Sequence, residues 1–186
     1  LASRHGLVLV RDETTASSNS NDANLGSSTI SRGAGLTASV NGGRFNSTDW
    51  ALISIANAVT GNDYVEFTIT PNSGYQFSVT SIVVKWQRSG TGNTQIALRS
   101  SIDGYASNLD AVKNVTDNTL TQTFTFTFTQ SNSTSAVTYR LYSYAEATGG
   151  TGGPGDGSGN DIVVNGSVSS SSAPTVTIDN TGAPAT

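Results

Sequence analysis

Apolar residues in this chain recur at every second position far more often than at helical spacing, and that pattern predicts strands. In the stretch from Tyr64 to Thr70, Val65, Phe67 and Ile69 alternate with Glu66, Thr68 and Thr70, and Pro71-Asn72-Ser73-Gly74 then supplies a turn. Tyr75, Phe77 and Val79 follow, then Ile82, Val84 and Trp86; the phase slips between Val79 and Ile82, which predicts a bulge near Thr80-Ser81. Ile96 and Leu98 begin another strand, closed by the turn dipeptide Asp103-Gly104. The clearest strand runs from Leu120 to Gln130, with Phe124, Phe126 and Phe128 on one side and Thr121, Thr123, Thr125, Thr127 and Thr129 on the other. Its neighbour, Val137 to Ala145, sets Val137, Tyr139 and Leu141 against Thr138, Arg140, Tyr142 and Tyr144. A Gly-rich loop from Gly149 to Asn160 precedes a last good strand, Asp161 to Val168. Gly6 to Arg11 reads as an opening strand, followed by a Ser/Asn-rich loop out to Ser28, and shorter strands are expected near Thr29–Gly33 and Ala51–Asn57. Essentially no helix is expected.

Clean alternation implies antiparallel sheets with one face in the core and one in water. Two such sheets packed face to face bury the Phe, Ile, Val and Trp rows, so the predicted fold is all-β, a two-sheet β-sandwich of jelly-roll type. The sandwich domain is placed at residues 1–168. Residues 169–186 read as a Ser-rich linker, Ser169 to Ser172, and a short extra strand from Pro174 to Asp179.

Composition narrows the chemistry. Ser, Thr, Asn and Gly make up nearly half of the 186 residues, and charged residues only 12%, about half the usual share. Nine basic against thirteen acidic residues leave no nucleic-acid footprint, and no apolar run is long enough to span a membrane. There is no Cys, which excludes a disulfide framework, a thiolate nucleophile and sulfur-ligated zinc. Met is absent too, so Leu1 is read as the start of a processed form or a fragment. Low charge, only two lysines and abundant Ser, Thr and Asn point to an extracellular or cell-surface protein.

Several segments resemble a recurring module of bacterial secreted proteins: Phe45-Asn46-Ser47-Thr48-Asp49-Trp50, Asn62 to Ile69, Ser73-Gly74-Tyr75-Gln76-Phe77, Trp86-Gln87-Arg88-Ser89, Tyr139-Arg140-Leu141-Tyr142 and Ser158 to Gly166. The module is a jelly-roll-like β-sandwich of large secreted or cell-surface proteins of environmental bacteria, and the resemblance covers roughly residues 29 to 168. Gly6 to Arg11 departs from the aromatic-rich opening strand usual in that family. The family carries no established activity, so the resemblance implies fold and compartment alone.

Candidate chemistry is sparse. A hydrolytic triad needs a base beside its nucleophile, and the only His is His5, next to the N-terminus, with no G-x-S-x-G elbow anywhere. Glu66 alternates outward on a strand as a surface residue would, and Glu146 ends a Tyr/Arg-rich one; neither makes the paired carboxylates of a glycosidase. No enzyme is expected. Asp156 and Asp161, on the Gly-rich turn before the last strand, supply hard oxygen ligands that suit Ca²⁺, although such a loop is more simply a connector. Arg140, Tyr142 and Tyr144 share one strand face and could stack on and hydrogen-bond a glycan, whereas Trp86, in phase with Ile82 and Val84, reads as core. The threonine row is the kind of flat hydroxyl array that ice-binding surfaces use, but Thr is also the ordinary polar residue of an exposed strand face. The leading reading is a structural or adhesive module that self-associates, even into a filament, by strand donation, with Leu7, Val8, Leu9 and Val10 at one end and Val176 and Ile178 at the other as assembly strands. A carbohydrate-binding module of a larger secreted protein is the alternative.

Overall fold

The computed structural model describes residues 3–7, 16–116, 120–155 and 159–171. Its strands are β1 (Ser3–Leu7), β2 (Ala16–Ser20), β3 (Thr29–Arg32), β4 (Thr37–Ala38), β5 (Ser47–Thr48), β6 (Tyr64–Ile69), β7 (Tyr75–Arg88), β8 (Asn93–Ser100), β9 (Lys113–Asn114), β10 (Gln122–Ser133), β11 (Val137–Ala145), β12 (Gly152–Pro154) and β13 (Ile162–Ser170), joined by one helix, α1 (Ile55–Gly61), and a 3-10 turn, Ser101–Asp103. All the ladders between strands are antiparallel.

Two sheets pack face to face. The first runs β1-β13-β7-β10 and the second β6-β11-β8-β9, with successive strands passing between sheets in jelly-roll order. On one side β2 and β3 bridge β1 to β6, so the sandwich is closed there by main-chain pairing. On the other side, among the described residues, β10 pairs with β7 alone and β9 with β8 alone. That side is a seam.

The predicted inward rows form the core. Val65, Phe67 and Ile69 are buried, as are Phe77 and Val79, then Ile82, Val84 and Trp86; the β13 register jumps from Asn165↔Ser81 to Gly166↔Val79, placing the phase slip at Thr80. On β10, Phe126 is fully enclosed while Phe124 and Phe128 are partly buried against the same core, and Thr123, Thr125, Thr127 and Thr129 are exposed. Trp50 and Trp86 meet inside at 5.9 Å between ring centroids.

Four local expectations are corrected. The strand expected near Ala51–Asn57 gives way to α1 over residues 55–61: Ser54 caps it by accepting from the Asn57 N–H at 3.2 Å, and Asn62 ends it in a left-handed conformation (φ 61). Its Ile55, Ala58 and Val59 cover Tyr64 and Tyr142 on the outside of the second sheet, so the helix forms because it has an apolar surface to bury. The Ser/Asn-rich stretch contains β2, whose polar side chains suit a strand that only links two sheets. The Gly-rich segment from Gly149 is a loop only in part, since Gly152–Pro154 is a buried strand pairing with β5 and β7. A Cβ on Gly153 would lie 2.1 Å from the Phe45 carbonyl oxygen, which is why this strand is written in glycine. Finally, β13 continues to Ser170, so Ser169 and Ser170 belong to the sheet, opposite Gln76 and Tyr75.

Candidate functional site

The outer face of the second sheet gathers Tyr64 and Glu66 from β6 with Arg140, Tyr142 and Tyr144 from β11. Arg140 donates from Nε to Glu66 Oε2 at 2.8 Å, and its guanidinium lies 4.0 Å from the Tyr64 ring centre and 3.8 Å from that of Tyr105. Tyr105 reaches this position from a left-handed backbone (φ 64), just after the Ser101–Asp103 turn. Burial works against the charge on Arg140, but hydrogen bonds to Tyr142 and Glu66 outweigh it and hold the guanidinium above its ordinary pKa. Tyr142 is only 2% exposed, wedged against Tyr64 at 5.3 Å beneath α1. This corrects its reading as a sugar platform: a ring enclosed by a helix has no face to offer a pyranose, and its phase opposite to Leu141 reflects burial on the far side of the sheet. Tyr144 is half-buried. Every charged group of this cluster has its partner inside the cluster.

Asp161 is buried and its main-chain carbonyl accepts the Lys85 N–H at 2.8 Å; Asp156 lies outside the described residues. No group of three or more His, Cys, Asp or Glu side chains able to share a metal ion occurs among the described residues. Of the assembly strands, Leu7 sits in β1, in register with Ile162 and Ser18 of its own chain, so this part of the N-terminal strand is already paired. Val8, Leu9, Val10, Val176 and Ile178 lie outside the described residues. No helix among the described residues is long and apolar enough to cross a membrane.

The seam between β10 and β8 carries the feature that sequence reasoning missed. The jelly-roll order places a strand between them, yet β9 has only two residues, and these pair with Gln95 and Ile96 at one end of β8. Nearby, Asp110 spans the gap: its Oδ2 accepts the Thr127 main-chain N–H and the Lys113 ammonium, both at 2.9 Å, and Oδ1 accepts the Ala111 N–H at 2.7 Å. These donors, the Thr127 N–H first, hold the Asp110 carboxyl down at a pKa of about 2. Since Thr127 directs its N–H away from β7, strand alternation directs those of Thr123 and Thr125 the same way, and neither bonds there to another described residue.

At the other end the seam opens. The β10–β7 register shifts between Thr127 and Gln130 and again between Gln130 and Ser133, each time with an extra β10 residue, which bends the strand. Between this bent end and the loop after β8 lies a trough of about 710 Å³, lined by Ile102, Leu109, Phe128, Gln130, Ser131 and Asn132 among others. Ile102 is 61% exposed at its rim. Gln130 is 6% exposed; its Oε1 accepts the Tyr139 hydroxyl, and its Nε2 has no hydrogen-bond partner. A buried amide donor left unpaired is unusual and is stabilised by whatever supplies an acceptor. Most of the trough wall is uncharged: it can hold an extended, partly apolar chain rich in carbonyl or hydroxyl oxygen. In sequence, the only legible trace was Gln130 standing where the phenylalanine alternation would put another apolar residue.

Compared with known proteins, this chain matches no family model, no curated protein and no solved structure.

Proposed function

We propose that this chain is a non-enzymatic structural or adhesive module of a bacterial cell exterior that joins to further copies of itself by strand addition. The observation that carries this reading is the incomplete seam: a two-residue β9 opposite a twelve-residue β10. Sheet edges are normally guarded against added strands by Lys, Pro or inward charge. From Gln122 to Ser133 there is no charged residue and no Pro, and the side chains alternate Thr and Phe, a sequence with high strand propensity. A head-to-tail contact of this type does not close on itself and propagates as a fibre. The Ser/Thr/Asn-rich surface and the low charge accord with an extracellular setting.

The test is negative-stain microscopy and analytical ultracentrifugation of the full chain over a wide concentration range. Filaments or a concentration-dependent ladder of oligomers are expected. A monomer at every concentration overturns the assembly reading. A glycan-binding reading keeps Arg140 and half-buried Tyr144 at the surface; saturable binding on a glycan array, lost with Tyr144→Ala, would put it in first place.

A further inference from the structure

The trough at the open end of the seam has the shape, position and chemistry of a receptor for one particular strand. We propose that it receives the C-terminal segment Thr175 to Asp179 of a neighbouring copy, with Val176 and Ile178 seated against Ile102, Leu109 and Phe128. This rests on the assembly reading above and names its contact.

Three observations lead there. The trough combines an apolar floor with the edge of a strand, the arrangement in which an extended peptide gains affinity from main-chain bonds and specificity from alternate side chains. The buried Gln130 Nε2 needs an acceptor, which a peptide carbonyl provides. The last described strand also delivers the chain to this end of the molecule. Ser170 is opposite Tyr75, Ser171 donates its N–H to the Gly74 carbonyl at 2.8 Å, and Ser133 of β10 is opposite Phe77 on the other side of β7. Val176 and Ile178, two residues apart, fall on the same side of an extended chain.

The direction of β13 favours a neighbour over the chain's own trough. Both β13 and β10 are antiparallel to β7, so β13 runs the same way as β10 and points off the end of the sandwich. Carried straight on, the seven residues after Ser171, up to Ile178, span up to about 25 Å, enough to take Val176 and Ile178 beyond the end of their own sandwich.

The absence of cysteine makes the contact directly testable, since any disulfide must join introduced residues. Full-length Ile102→Cys and Ile178→Cys chains are mixed under mild oxidation, and the products are mapped by mass spectrometry. A disulfide between positions 102 and 178 of different chains is expected, in severalfold excess over the product from a Val40→Cys chain mixed with Ile178→Cys; Val40, like Ile102, is exposed. Linking at the Val40 level overturns the proposal. If filaments persist in that case, assembly stands and only its contact is misassigned; if the chain is also monomeric, both fall. A double Ile102→Cys/Ile178→Cys chain that links only within itself, with no product between chains, shows the segment in its own trough and equally overturns the proposal.

Discussion

Asp110 and Thr127, seventeen residues apart, join the two sheets along a seam that main-chain pairing leaves open: the Asp110 carboxylate accepts the Thr127 N–H at 2.9 Å. A hydrogen bond to an ionised acceptor is stronger than a neutral one, and the Thr127 N–H first, then the Lys113 ammonium and the Ala111 N–H, favour the ionised form of this acceptor. The folded pKa, about 2, is below the unfolded value of about 3.9, so the contribution is full above pH 4 and is lost as pH falls from about 4 to about 2. Denaturant titrations at pH 7 and pH 3 should therefore differ more for the natural chain than for Asp110→Asn. At pH 7 the substitution should cost about 1 kcal/mol, because the site is partly solvated. An identical acid response from both chains would show that the bond carries no stability.

Phe126 and Thr125 are adjacent on one strand yet face opposite media, one enclosed and one exposed. Phe126→Ala should cost about 3–5 kcal/mol in equilibrium unfolding, through lost burial and the cavity left behind. Thr125→Ala should cost less than about 1 kcal/mol. Equal losses would mean that β10 pairs one residue out of this register.

What could be read from sequence followed from how locally each feature is encoded. Alternation is a nearest-neighbour property, so the rows at Val65–Ile69, Phe124–Phe128 and Val137–Leu141 show their inward faces without any knowledge of the rest of the chain. The slip at Thr80 was visible for the same reason. Helix α1 was obscured because Ile53 and Ile55 alternate like a strand, although Ser54 before Ile55, Ala58 and Val59 is a readable cap and i, i+3, i+4 set. Of the trough, only Gln130 in the phenylalanine alternation was legible: the trough exists because β9 is short and β10 bends, and both depend on pairings across long stretches of chain. Tyr142 misleads for a related reason. Its phase marks it as outward, and only the packing of α1 decides that outward is not exposed.

Tyr142→Ala accordingly tests packing and not recognition. Removing the ring from beneath Ile55, Ala58 and Val59 should cost about 3 kcal/mol or more and loosen α1. Tyr142→Phe keeps that packing and gives up only a long 3.4 Å hydrogen bond from Arg140, so it should lie within about 1 kcal/mol of the natural chain. Thermal unfolding of the pair separates these outcomes, and a mild effect for both would place the ring in solvent.

Gly153 in β12 is in contact with the chain just before β5. A methyl group there would lie 2.1 Å from the Phe45 carbonyl oxygen and 2.9 Å from its carbon. Those are main-chain atoms held in place by the N–H of Phe45 bonding to the Pro154 carbonyl at 2.8 Å, so they cannot rotate aside as a side-chain tip could. Gly153→Ala must push β12 away from β5 or from β7, and since Phe45 and Trp86 are both buried, either movement opens the core. The expected loss is about 1–3 kcal/mol. Gly42 is the matched control: its added methyl would meet nothing within 4 Å, and reduced freedom of the unfolded chain should leave Gly42→Ala neutral or up to about 1 kcal/mol more stable. Guanidinium unfolding of the two variants beside the natural chain gives the comparison. A stable Gly153→Ala would mean that β12 does not lie between β5 and β7.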